Sequence, residues 1–138
     1  MNKIETRKAE VTMSDGTKAR LFYDEDTDIM EIVFGKNEAA TGVELNDYMI
    51  LRADRQARRA VSLTLLHFSI LAELTEYGPR SYPLDKLEEA PDDLHELALR
   101  LVNSEPVNQF LKMSHFQASA TKKVPFTYVE SRPILRAA

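Results

Sequence analysis

The sequence predicts an α+β fold, an antiparallel β-meander in the first half packed against helices of the second half. Three observations carry it. Up to about residue 66 apolar and polar residues alternate with period two between turn signals. Beyond Leu66 the apolar spacing changes to that of helices. All six prolines follow residue 78, while three of the four glycines precede it. Proline removes a ladder donor and is kept out of central strands, so the first half is free to be sheet.

The first strand, through Val11-Thr12-Met13, runs into Ser14-Asp15-Gly16, where Gly16 can take the positive φ of a hairpin turn. Residues 19–23 follow and end in the turn Asp24-Glu25-Asp26-Thr27. In residues 28–34, Ile29 and Val33 flank Glu31 on one face, and Met30, Ile32 and Phe34 share the other. Gly35-Lys36-Asn37 turns the chain again. Residues 41–45, 48–53 and 60–66 complete the expected meander, with Asn46-Asp47 and residues 54–58 as the turns between them. In the last strand Val61, Leu63 and Leu65 are expected on one face.

After Leu66 the spacing of His67, Ile70, Leu71 and Leu74 predicts a helix closed by Gly78 and Pro79. The clearest helix starts near Pro91, with Asp92 and Asp93 at the positive end of its dipole and Arg100 near the other end. Leu94, Leu97, Ala98, Leu101 and Val102 form its apolar stripe at i, i+3, i+4, i+7 and i+8. Ser104 suits the cap of a short helix carrying Val107, Phe110 and Leu111. Residues 124–129 predict a late strand, and Pro125 places it at an edge. The expected organisation is one domain over 1–138: mainly strands to residue 66, mainly helices over 67–123, then an edge strand and tail.

Composition narrows the function classes. A chain of 138 residues with 43% hydrophobic residues can build an apolar core without staples. The absence of cysteine excludes disulfides, thiolate metal sites and a cysteine nucleophile, and it fits a reducing compartment. The chain starts with polar residues rather than the apolar stretch of a signal peptide, and no run reaches the length of a membrane span. A cytoplasmic protein is the expectation. A net charge of −4 gives no electrostatic reason to expect nucleic acid.

The segment Leu21-Phe22-Tyr23-Asp24-Glu25-Asp26-Thr27-Asp28-Ile29-Met30-Glu31-Ile32 resembles a small bacterial domain family of unknown function. Its members open with Tyr-Asp-x-x-x-Asp-x-Leu-x-Ile in the first hairpin. They close with a strand similar to Val61-Ser62-Leu63-Thr64-Leu65-Leu66. The likeness covers residues 19–71. Two departures stand out: Gln56-Ala57-Arg58 occupies the turn where the family usually places glycine, and Ser62 replaces a second glycine. The resemblance implies a small antiparallel sheet with a helix. It brings no activity or catalytic residues. Some members of the family lie beside toxin-like partners, which implies a regulatory or antitoxin-like role.

Asp24, Asp26 and Asp28 recur at the spacing of the first half of a calcium loop, but its glycine and glutamate positions would be Ile29 and Gly35. Asp side chains bonding local amides account for the cluster, so no metal or other cofactor is expected. His67, His95 and His115 lack ligand spacing, and there is no Gly-x-Ser-x-Gly elbow or glycine-rich phosphate loop. Arg52, Arg55, Arg58 and Arg59 crowd one hairpin, where guanidinium groups could grip carboxylates or phosphates. The plainer alternative is a solvated hairpin tip that discourages edge-to-edge pairing. These four arginines are the candidate partner-binding residues. The favoured reading is a non-catalytic protein-binding or regulatory domain, its partner another protein or a second copy of the chain, with no nucleic acid or membrane. The rival is a small-molecule enzyme with a pocket between sheet and helices.

Overall fold

The computed structural model describes residues 6–76, 78–117, 119–120, 123–130 and 134. Six strands form the main sheet: β1 (Thr6–Thr12), β2 (Lys18–Asp24), β3 (Ile29–Phe34), β4 (Thr41–Glu44), β5 (Met49–Asp54) and β6 (Arg59–Leu66). All neighbours pair antiparallel, and the expected turns fall between them. Short acidic side chains close three of these turns. Asp15 accepts from the Thr17 amide at 2.8 Å, Asp24 from the Asp26 amide at 3.0 Å, and Asp54 from the Gln56 and Ala57 amides.

The strand order is β1-β2-β3-β6-β5-β4. It is therefore two three-stranded meanders joined through β3 and β6. Residues 35–40 cross the ends of β6 and β5 to reach the far edge. An unbroken meander would have left β6 at an edge, with its amides open to water. Strands β3 and β6 carry buried residues on both faces, which suits them to the centre. The register shifts between Arg52 and Ala53, where Arg52 pairs with Ser62 but Ala53 pairs with Ala60. Val61 is the extra residue of this bulge. It is fully buried, yet it leaves the core cluster that holds Leu63 and Leu65.

After β6 the chain makes α1 (Phe68–Leu71), β7 (Leu74–Thr75), β8 (Gly78–Pro79) and β9 (Tyr82–Pro83). The helix expected over residues 67–74 is a single turn. Ile70 and Leu74, half of its apparent stripe, are 50% and 67% exposed, so Leu71 alone anchors it fully. Helix α2 (Asp92–Val102) is the one the sequence predicts, with Pro91 at its N-cap and its apolar stripe buried. The short helix expected after it is one 3-10 turn, Val107–Gln109. Ser104 does not cap that turn with its side chain, because its hydroxyl donates back to the Arg100 carbonyl at 2.6 Å.

Leu111 opens β10 (Leu111–Gln117), which pairs with β11 (Lys123–Val129). The second half thus holds less helix than its punctuation predicts. Strand β11 lies between β10 and β9 rather than at an edge. The Pro125 carbonyl accepts from the Leu84 amide at 3.1 Å. A strand residue's nitrogen and carbonyl point the same way, so the missing donor faces β9, which is only two residues long. One buried cluster takes in Leu21, Ile32, Leu51 and Leu63 from the sheet, α2's stripe, and Phe110, Leu111, Val129 and Ile134.

Candidate binding cleft

Four elements meet at one end of the main sheet: the β1–β2 turn, the β5–β6 turn, Gly35 at the start of the crossover, and the last turn of α2. Between them lies a cleft of about 370 Å³. Its floor is Met13, Phe34, Ala60, Leu101 and Pro106, of which the first four are nearly buried. Its polar groups are Asp15, Thr17, Arg58, Arg59, Arg100, Ser104 and Glu105.

The acidic side is built by the β1–β2 turn and the segment after α2. Asp15 is held below the usual carboxylate range by Thr17, first through its side chain and then through its backbone N–H. The Ser14 hydroxyl donates to Glu105 at 2.6 Å, tying these two segments together, and Gln109 donates to the other Glu105 oxygen at 3.1 Å. The basic side comes from the β5–β6 turn and α2. Arg58 takes a left-handed backbone, φ 54, a region in which a side chain is strained. Among the described residues, neither the Arg58 nor the Arg100 guanidinium has a hydrogen-bond or ion-pair partner.

The four arginines singled out by sequence separate. Arg59 donates to Glu38, to the Phe34 and Ala60 carbonyls and to Lys36. Arg52 donates to Asn37, to the Glu38 carbonyl and to the hydroxyl of fully buried Ser62. Both fasten the crossover, which Arg20 also holds through the Gly35 carbonyl. Arg55 pairs with Asp93 at the start of α2. Among the described residues, Arg58 alone of the four has no partner for its guanidinium.

Arg100, Asp15 and Glu105 were missed. Arg100 reads as a complement to the helix dipole, Asp15 as a turn former and Glu105 as a residue before proline. No spacing in the sequence brings positions 15, 58, 100 and 105 together.

The other sequence candidates lie elsewhere. Asp28 accepts from the Tyr23 hydroxyl at 2.7 Å, the Ser69 hydroxyl at 2.6 Å and the Ser69 amide at 3.0 Å, which docks α1 on the β2–β3 turn. Among the described residues, no three His, Cys, Asp or Glu side chains are placed to hold a metal ion. His67 meets Tyr48 edge-on, and Tyr48 in turn meets Tyr82. His95 is half-buried on α2, and the side chain of His115 lies outside the described residues. Among the described residues, no helix is long and apolar enough to cross a membrane.

Searches for likeness found no matching family model, curated protein or solved structure. The cleft offers two uncommitted cations, two hydrogen-bonded carboxylates and an apolar floor. Among the described residues, no histidine or tyrosine lines it, and the Ser104 hydroxyl is engaged by the Arg100 carbonyl. That set is suited to holding charged groups.

Proposed function

We propose that this is a non-catalytic, regulatory binding domain that takes a charged ligand into the cleft between the β5–β6 turn and α2. The observation that carries the reading is the pair of uncommitted guanidinium groups, Arg58 and Arg100, beside an apolar floor. Pockets that fix a ligand's orientation typically combine a mostly apolar lining with a few placed polar groups. A cytoplasmic setting fits the cysteine-free sequence.

The test is an NMR titration of the full chain with carboxylate and phosphate probes, following the Arg58 and Arg100 side-chain signals. Binding that shifts these signals and is lost in Arg58→Gln/Arg100→Gln supports the reading. Binding that the double variant leaves unchanged overturns it.

A second reading keeps a protein partner, as the antitoxin-like resemblance implies. It is favoured by the sheet face away from the core. There Phe22, Ile29, Ile50 and Leu66 remain half-exposed and lie outside the core packing. Phe22→Ser/Ile50→Ser should abolish such a complex while leaving ligand binding at the cleft intact.

A further inference from the structure

We infer that the ligand of the cleft is a small zwitterion, a free amino acid with an apolar side chain, rather than a simple anion or an acidic protein patch. This rests on the cleft being the binding site and goes on to name the class of molecule it takes.

The charge pattern decides it. Among the described residues Arg58 and Arg100 carry two positive charges with no partner, while Asp15 and Glu105 place two negative charges on the same cleft. Among the described residues, neither guanidinium forms an ion pair with either carboxylate. The opposite charges on the cleft therefore do not neutralise one another by direct contact. A simple anion would gain from the arginines and lose to the two carboxylates. A simple cation would meet the reverse. A molecule carrying an ammonium and a carboxylate satisfies both sides, and charge placed to repel wrong ligands is as much a specificity device as attraction.

Two further features orient the zwitterion. The acidic groups are fixed before any ligand arrives. Glu105 is clamped by Ser14 and Gln109, and Asp15 is engaged by the Thr17 amide. The basic groups come from two other elements, Arg100 from the last turn of α2 and Arg58 from the β5–β6 turn. The ammonium therefore belongs beside Glu105 and Asp15, and the carboxylate between Arg58 and Arg100. The remaining surface is apolar: Met13, Phe34, Leu101 and Pro106. A volume of 370 Å³ lies at the small end of the range of about 300–1,000 Å³ for ligand pockets, suited to one amino acid.

The experiment is a titration of the full chain, by calorimetry and NMR, with leucine, methionine, phenylalanine, 3-phenylpropionate, 2-phenylethylamine and hexaglutamate. At least one of the amino acids should bind. If phenylalanine is that ligand, 3-phenylpropionate, which lacks the ammonium, and 2-phenylethylamine, which lacks the carboxylate, should each bind at least tenfold more weakly. Arg100→Gln should weaken the amino acid and leave the amine unchanged, and Glu105→Gln should weaken the amino acid and leave 3-phenylpropionate unweakened. Both positions are exposed, so thermal melts of the two variants should match the parent. If 3-phenylpropionate or hexaglutamate binds at least as tightly as every amino acid, the zwitterion is overturned while the cleft stands as an anion site. If no probe moves the Arg58 and Arg100 signals, the binding cleft falls with it.

Discussion

Arg59 and Glu38 meet at 2.9 Å, and this pair holds the crossover that gives the main sheet its strand order. The same guanidinium reaches the Phe34 carbonyl at 3.0 Å and the Lys36 carbonyl at 2.6 Å, so β6, the end of β3 and the crossover share one donor group. The two side chains are only about a third exposed, at 34% and 31%. Removing the guanidinium would strand partly buried carbonyls as well as a carboxylate. Arg59→Ala is therefore expected to cost on the order of 2–3 kcal/mol. Arg55 makes a useful control, because its pair with Asp93 is 48% and 67% exposed and solvent screens it. Arg55→Ala should stay within about 0.5 kcal/mol. Urea unfolding of the two variants checks the contrast. Equal midpoints would show that the crossover does not depend on Arg59.

Arg58 makes the opposite case, a residue whose side chain costs the fold something. At φ 54 its Cβ crowds the backbone, a penalty of roughly 1 kcal/mol that glycine would not bear. Arg58→Gly should therefore raise the melting temperature by about 2–5 °C while weakening ligand capture at the cleft. Calorimetric melts paired with the ligand titration measure both. A lowered melting temperature would mean that the Arg58 side chain serves the fold.

The α+β class and helix α2 were legible because both rest on local patterns. Alternation marked the six strands, and the stripe from Leu94 to Val102 marked the helix. The crossover was not legible. Whether β3 pairs with β4 or β6 depends on which strands gain most from a central place, and that is settled by contacts between residues such as Ile32 and Leu63. Pro125 misled for a similar reason, since the exclusion of proline assumes a full-length neighbour on its nitrogen side. The arginine cluster was half legible. Proximity in sequence found Arg58, but only the crossover explains why Arg52 and Arg59 are occupied. Arg100 arrives from another element altogether.

Asp28 links pH to the docking of α1. Desolvation pushes its carboxyl up, but it is outweighed by hydrogen bonds from the Ser69 and Tyr23 hydroxyls and the Ser69 amide, together with the charge of His67. The net effect is a value below the ordinary 3.8 of an aspartate. A depressed folded value means that the stabilisation is fully present above the ordinary value. It is lost as pH falls through the lower folded one. Unfolding followed from pH 6 down to pH 2 should show this acid limb, and Asp28→Asn should flatten it. An identical acid limb in the variant would show that other carboxylates carry the dependence.

Leu97 tests whether the sheet and α2 stand or fall together. It is 3% exposed and belongs to the same buried cluster as Ile32, Leu51 and Leu63. An isolated helix as short as α2 is marginal in water, so its stripe depends on the apolar face of the sheet. Truncating a core leucine to alanine removes transfer energy and leaves a cavity, at a cost of about 2–5 kcal/mol. If the core is shared, Leu97→Ala lowers the opening energy of the whole chain, and amides such as those of Ile32 and Ile50 exchange faster along with α2. Glu96→Ala, on the exposed side of the same helix, should change stability by no more than about 0.5 kcal/mol. Native-state hydrogen exchange on both variants distinguishes a shared core from a docked accessory. Full protection at Ile32 and Ile50, with faster exchange confined to residues after Gly78, would show that the helix is held by the sheet without helping to hold it.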